Sequence, residues 1–341
     1  MKKKIAVIGS GIAGLTIANL FKKNLNFEIV VYEKEKILSL EEGYGIQLAP
    51  NSVSILNKIG LSSIDNKEFS NPSNLNFYSS DNHKICDLNL SRFNSDEFKY
   101  TTLKRSVLIE FLKNKLFANN LRFGKEVKKI SQIKEKLLIN FKDNTNDLVD
   151  FIVISDGVFS NTKSIVENKS IQPVYNGSIA IRTILKNLPE SNYDKNSISL
   201  VMLKNAHIVI YPINKKGELN VVCIIRQKLS NNIDLKALIK KEIIPQNKNL
   251  ESLFENKLEY WPIYTSKKPS KSIYENLFYI GDAFYTFPPT MAQGASQSIE
   301  AANELFNLLS NDNKHTPDIF FKKRLERTKV IDRRSKLNHH I

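Results

Sequence analysis

The sequence predicts an α/β fold: a Rossmann-like parallel-sheet domain interrupted by an inserted antiparallel sheet. Three observations predict it. A glycine-rich turn, Gly9-Ser10-Gly11-Ile12-Ala13-Gly14, joins an apolar strand (Ile5–Ile8) to a helix-periodic segment (Ile12–Lys23), and a further strand follows at Phe27–Tyr32. That is the spacing of a βαβ unit. A second strand–turn–helix unit comes late, LFYIGDAFYTFPPTMAQGASQSIEAANELFNLL over Leu277–Leu309. Between them, residues 174–228 read as apolar strand runs at Ser178–Ile184, Ser197–Leu203, His207–Tyr211 and Leu219–Ile225, without the crossover helices that parallel strands need.

Each glycine of the first turn has its own task. Gly9 permits the tight turn, Gly11 lets the backbone approach a pyrophosphate, and Gly14 lets helix and strand pack closely. Glu33 ends the second strand, where a carboxylate accepts hydrogen bonds from a ribose 2′-OH and repels a 2′-phosphate. The bland alternative is a turn beside an exposed Glu, and the motif alone does not separate NAD from FAD. In the late unit, Gly281-Asp282 ends a strand (Leu277–Ile280), Pro288-Pro289 bends the chain, and Gly294 opens a helix. Such a helix start presents backbone N–H groups to an electron-rich ligand. Two sites of this kind suggest a ligand longer than one nucleotide.

The intervening segments are predicted as follows. Pro50–Ile59 is a helix capped by Asn51 or Ser52. Leu75–Tyr78 and Lys84–Leu88 are strands, and Arg105–Phe117 is a helix. Arg122–Ile130, Leu137–Phe141 and Phe151–Ile154 are strands, Leu235–Ile243 is a helix, and Phe320–Leu337 is a basic helix. Pieces 1–70, 100–168 and 271–310 would therefore build a discontinuous binding domain. Pieces 71–99 and 169–270 would form a second, sheet-rich substrate domain, and 311–341 a C-terminal basic helix.

The bulk numbers bound the function. With 341 residues the chain can bury a full core. Its formal charge of +15 comes from lysines scattered among asparagines, with no RRM, zinc-finger or KH signature. A basic surface is therefore expected rather than a nucleic-acid footprint. Cys86 and Cys223 are too few for a disulfide framework or a metal site, which points to the cytoplasm. Lys2-Lys3-Lys4 before an apolar run imitates a signal peptide, but the spaced glycines favour a buried strand. No apolar stretch reaches the roughly 18 residues a spanning helix needs.

The order GxGxxG, Asp156-Gly157, Gly281-Asp282 and Pro-Pro resembles the class A FAD-dependent monooxygenases, the single-component aromatic hydroxylases, over nearly the whole chain. The branch it looks most like is the salicylate hydroxylase and 6-hydroxynicotinate monooxygenase group. The residues carrying the resemblance are GSGIAG, Glu33, GYGIQLAPN (Gly43–Asn51), LKRSVLIEFL (Leu103–Leu112), ISDGVFSNTK (Ile154–Lys163), HIVIYPI (His207–Ile213), GELNVV (Gly217–Val222) and GDAFYTFPPTMAQGASQSIE.

The resemblance implies a GR2-type FAD-binding domain. Gly11, Ala13 and Gly14 would hold the pyrophosphate, Glu33 the adenosine ribose, and Val127 the adenine through its backbone, with Gly9, Ile12 and Lys34 beside them in the cofactor set. Gly45, Gln47, Arg105, Asp156, Gly157, Gly281, Asp282, Pro289, Gly294 and Ala295 would complete the cofactor set. Arg105 read by itself is also compatible with an exposed helix-start residue, and Asp156-Gly157 with a common turn. The chain departs from the pattern at Phe284 and Tyr285 (usually Ala and His), at Lys163 (often Arg) and at Ala301 (usually Asp).

His207, Val209 and Tyr211 alternate along one strand and share a face. By resemblance they match substrate-pocket positions. His207 would assist deprotonation of a ring hydroxyl, Tyr211 would orient that hydroxyl, and Pro288 and Pro289 would shape the wall by the flavin. Arg182 is either a partner for a substrate carboxylate or a surface residue. The basic tail (Lys322, Lys323, Arg324, Arg327, Arg333, Arg334) is expected to be a solvated helix face.

The implied activity is hydroxylation of a small aromatic, phenolic or hydroxypyridine-type. The family cycle runs through NADH or NADPH as transient reductant, O₂ and a flavin C4a-hydroperoxide. A monomer or homodimer with no metal is expected. The shared glycine framework leaves a quinone-pathway hydroxylase, a polyprenyl reductase or a non-catalytic flavin-binding regulator as alternatives. A flavin halogenase usually carries WxWxIP, and this chain has one Trp, in Trp261-Pro262-Ile263.

Overall fold

The structure, a computed structural model, describes residues 2–38, 44–186, 193–230, 232–311 and 315–339. Gly43, part of the GYGIQLAPN resemblance, lies outside them. Its centre is a five-stranded parallel sheet in the order Leu277–Tyr279, Phe151–Ile154, Lys3–Ile8, Phe27–Tyr32 and Leu121–Arg122. Ile5, Ala6 and Val7 are completely buried, as a strand covered on both faces requires. One face is covered by the helices Ile12–Lys22, Arg105–Asn114 and Gly294–Ser310. The other is covered by an antiparallel three-stranded meander, Val127–Ile133, Lys136–Phe141 and Asn146–Val149. Lys3–Ile8 has the strand that follows it on one side and the later strands on the other. Its carboxyl end is therefore a topological switch point, where open α/β sheets bind ligands.

The inserted sheet has seven strands, ordered Glu259–Thr265, Val174–Leu185, Leu219–Arg226, Ala206–Pro212, Ile198–Leu203, Asn74–Tyr78 and Lys84–Asn89. It is antiparallel except that Asn74–Tyr78 runs parallel to Ile198–Leu203. One face is sealed by helix Leu235–Glu242 and the 3-10 segment Lys248–Phe254. The opposite face is only half-buried at Arg182, Leu200, His207, Val209 and Val222. A small sheet, Gly45–Leu48, Thr101–Lys104 and Phe69–Ser70, joins the two bodies. Gly45 N–H donates to Asn220 Oδ1 at 2.8 Å, and Lys104 pairs with Glu218 at 2.8 Å.

Three local expectations are corrected. The run Arg122–Ile130 is two strands in two sheets, because Gly124 at φ +69° breaks it. The helix Pro50–Asn57 takes Ala49 as its N-cap, with Pro50 at the first helical position and no side-chain cap. The C-terminal helix spans Thr316–His339 and is not simply solvated on its basic face. Arg324 is only 2% exposed and pairs with Glu300 and Glu304 of helix Gly294–Ser310.

Candidate active site

Three loops meet at the carboxyl ends of adjacent parallel strands: Gly9–Gly14, Ser155–Gly157 and Ile280–Asp282. Their packing explains the glycines. A Cβ on Gly14 would lie 2.0 Å from Gly9 O and 2.5 Å from Ser155 Oγ. One on Gly281 would lie 3.0 Å from Ala13 Cβ and from Ser298 Oγ, so the early and late turns touch. Gly11, Gly157 and Gly294 are different: a Cβ there would meet nothing within 4 Å. These are the positions where a backbone lies open to a bound group. Helices Ile12–Lys22 and Gly294–Ser310 start there with no side-chain cap, which leaves their first N–H groups to a ligand.

The charged groups are arranged around the same edge. Glu33 accepts from Ser10 N–H (2.9 Å) and Ser10 Oγ (2.7 Å) on one oxygen and from Glu35 N–H (3.1 Å) on the other. A carboxylate has about four acceptor positions, so capacity for a ribose hydroxyl remains. Val127 is buried and begins the strand after the segment that hydrogen-bonds the backbone of Glu33. The Lys34 side chain, by contrast, is two-thirds exposed and pairs with Glu35.

Asp156 Oδ1 is buried and has no hydrogen-bond partner among the described residues, and burial pushes its carboxyl up. Asp282 is reached by solvent along the cleft but is ringed by protein. That environment raises its carboxyl to about 6, while the facing Arg105 guanidinium pulls it down. Arg105 is half-buried, and its charge acts on the late turn. Lys163, where an Arg is usual, is buried and donates through Nζ to Ala283 O at 3.0 Å and Phe284 O at 3.4 Å. It therefore holds the turn that presents Asp282.

Across from this edge stands the half-buried face of the seven-stranded sheet. Arg182 is not a free surface residue: its guanidinium lies 5.2 Å from the Trp261 ring centroid and 5.9 Å from that of Tyr44. Tyr211 is buried, and the place a Cβ on Gly45 would take is 2.8 Å from its ring. Gly45 is therefore a packing glycine between the two bodies. Tyr100 Oη donates to Gln47 Oε1 at 2.7 Å, which leaves the Gln47 amide N–H₂ free of that bond on the side of Tyr211. Burial raises the Tyr211 phenol, and Arg182 and Gln47 draw it back.

The sequence of strand Gly45–Leu48 continues to Ala49, whose N–H donates to Ser296 Oγ at 3.2 Å in the late helix. This ties the strand bearing Gln47 to the late helix, while Tyr211 stands at that strand's other end, beside Gly45. His207 shares its face but lies four residues away at the hairpin turn, about 13 Å along the strand. Val209 lies between them, Pro288 is buried, and Pro289 is exposed at the bend.

Sequence reasoning missed Tyr44, Tyr100 and the holding role of Lys163. Trp261 entered only as half of an absent motif. Its pairing with Ala180, one step along the strand face from Arg182, is a register fact that only the sheet supplies.

A family profile for NAD(P)-binding Rossmann-like domains matches residues 7–41. The chain is 24% identical over 319 residues to 6-hydroxynicotinate 3-monooxygenase of Bordetella bronchiseptica, covering 88% of this chain and 81% of that one. It is 24% identical over 363 residues to 3-amino-4-hydroxybenzoate 2-monooxygenase PtnB3 of Streptomyces platensis, covering 99% and 88%. The structure of Klebsiella pneumoniae HpxO, complexed with FAD and uric acid, superposes with a TM-score of 0.88 at 18% identity, covering 99% and 88%. A salicylate hydroxylase substrate complex superposes at 0.82 with 16% identity over the same shares. The fold is that of these flavoproteins, and the resemblance to class A FAD-dependent monooxygenases is borne out over nearly the whole chain.

Proposed function

We propose that this chain is an FAD-dependent monooxygenase that hydroxylates a small, electron-rich aromatic compound, using NADH or NADPH as a transient reductant. One observation carries the reading. The glycine turn, the Gly281-Asp282 turn and the uncapped helix start at Gly294 converge on one sheet edge, opposite a half-buried wall bearing Arg182 and Tyr211. The open positions at Gly11 and Gly294, and the unpartnered Asp156 oxygen, fit an extended dinucleotide lying along that edge.

Gly11, Ala13 and Gly14 would hold the pyrophosphate with helix N–H groups, and Glu33 the adenosine ribose. Asp282 and Arg105 would hold the ribityl chain, and Gly294-Ala295 would face the pyrimidine edge. When bound and reduced, FAD supplies the activated oxygen. The net change is ring C–H + O₂ + NAD(P)H + H⁺ to ring C–OH + NAD(P)⁺ + H₂O. The helix start favours the negative charge that accompanies reduction. Arg182, held between the Trp261 and Tyr44 rings, would anchor an anionic ring substituent through a charge-assisted pair. Tyr211 would donate its O–H to a ring oxygen. Deprotonating a ring hydroxyl would make the ring a better nucleophile. The buried wall would keep water from the reacting atoms.

The test is direct. The purified protein should be yellow. It should consume NAD(P)H and O₂ only when a hydroxybenzoate or hydroxypyridine is added, with a product 16 mass units heavier (one oxygen, roughly) by mass spectrometry. A yellow protein inert with every donor and aromatic would instead indicate a flavin-binding regulator. A colourless protein with no affinity for FAD would end the proposal.

A further inference from the structure

The C-terminal helix Thr316–His339 backs every element of the late edge of the site. Tyr285, which stands where a His is usual, faces Asp332, and burial together with that carboxylate holds its phenol up. Phe284 packs edge-on against Phe321 with centroids 6.1 Å apart. Thr290 in the proline bend donates to Ser335 O at 2.7 Å. The strongest link is Arg324. Its Nη2 donates to Gln297 Oε1 at 2.8 Å and to Gln297 O at 3.4 Å, and its Nη1 to Glu300 Oε1 at 3.1 Å. Gln297 N–H in turn bonds to Gln293 O at 2.8 Å, the bond that closes the first turn of helix Gly294–Ser310.

We propose that Arg324 is a positioning residue for the cofactor: its guanidinium fork, bridging Gln297 and Glu300, fixes the first helical turn whose N–H groups would meet the flavin pyrimidine edge. The inference rests on the flavin reading above. Three features point to positioning rather than general stability. The side chain is 2% exposed, directly behind the turn that carries Asp282. Its Nη2 engages both the side chain and the backbone carbonyl of Gln297 at the end of the first turn, while Nη1 is anchored further along the helix by Glu300 and Glu304. A lysine could keep the charge, but one ammonium cannot reproduce the planar two-sided fork. The charge itself is neutralised by Glu300, which Arg327 shares, and by Glu304, so geometry and not net field is what the residue supplies.

The experiment compares wild type, Arg324→Gln and Arg324→Lys as full chains. It measures far-UV circular dichroism, FAD affinity by fluorescence quenching, and the flavin reduction potential. Wild type must bind FAD; if it does not, the flavin reading fails, independently of the variants. The expected result is a folded Arg324→Gln with FAD affinity at least about tenfold weaker. The reduced form should be weakened about tenfold more than the oxidised form, a potential about 30 mV lower for the two-electron couple. Arg324→Lys should fall between the two. If Arg324→Gln does not fold, Arg324→Lys alone decides. A folded variant with wild-type affinity and wild-type potential overturns the proposal, because a purely structural role moves melting and not potential.

Discussion

Replacing Gly11 and Gly14 by alanine, one at a time, separates ligand approach from packing within one six-residue turn. At Gly14 the new Cβ would lie 2.0 Å from a backbone oxygen and 2.5 Å from Ser155 Oγ. Backbone cannot rotate away, so the strand and helix must part. We expect a loss of about 2–3 kcal/mol from overpacking, against which a helix-propensity gain of about 1 kcal/mol is small. Gly11 has φ −75° and ψ −175°, which any residue adopts, and a Cβ there meets nothing within 4 Å. The apo-protein should therefore be unchanged or about 0.4–1 kcal/mol more stable, through the narrower unfolded ensemble. The same methyl would occupy the space through which a pyrophosphate approaches the turn. A lost approach of that kind costs about 2 kcal/mol, or about thirtyfold in FAD affinity. The assay is thermal melting with and without FAD, together with a fluorescence titration. Gly11→Ala that melts below wild type without FAD, or binds FAD as wild type does, refutes the reasoning. So does a Gly14→Ala of unchanged stability.

Other expectations follow from the same geometry. Asp282 has its carboxyl raised to about 6 in the folded chain, chiefly by burial, from an ordinary value near 4. Its contribution favours the fold below about pH 4 and is lost as pH rises through 6. Asp282→Asn without FAD should therefore melt no lower than wild type at pH 7.5, and its advantage should shrink toward pH 4.5, while FAD binding weakens. An advantage that grows on acidification would contradict this. Arg182→Met should lower kcat/KM about tenfold to a hundredfold for a carboxylated substrate, mostly through KM, and much less for a neutral analogue. Equal losses for both would remove Arg182 as an anchor. Lys163→Met leaves the carbonyls of Ala283 and Phe284 without their donor and should cost about 1–3 kcal/mol of stability in chemical denaturation. Tyr211→Phe should lower kcat for a hydroxylated ring more than its KM, and steady-state kinetics that show only a KM change would assign Tyr211 to packing.

The sequence by itself determined the parallel-sheet core and the early glycine turn, because both are written in local periodicity and in glycines that backbone geometry demands. It also marked Asp282 and the helix opening at Gly294, since a strand, a turn and a helix start are neighbours along the chain. What lies across space was decided only by the tertiary structure. Whether Arg182 is a surface residue or lies over the Trp261 ring depends on strand register, and register is a pairing between segments some 80 residues apart. The basic tail reads as a solvated face, because composition counts charges and not their partners. Arg324 is buried because Glu300 and Glu304 lie on a different helix that the fold brings against it. The unusual Phe284 and Tyr285 read as departures in one dimension. In three they are the contacts that receive Phe321 and Asp332. Local rules fix which elements form, and long-range packing fixes which side chains meet.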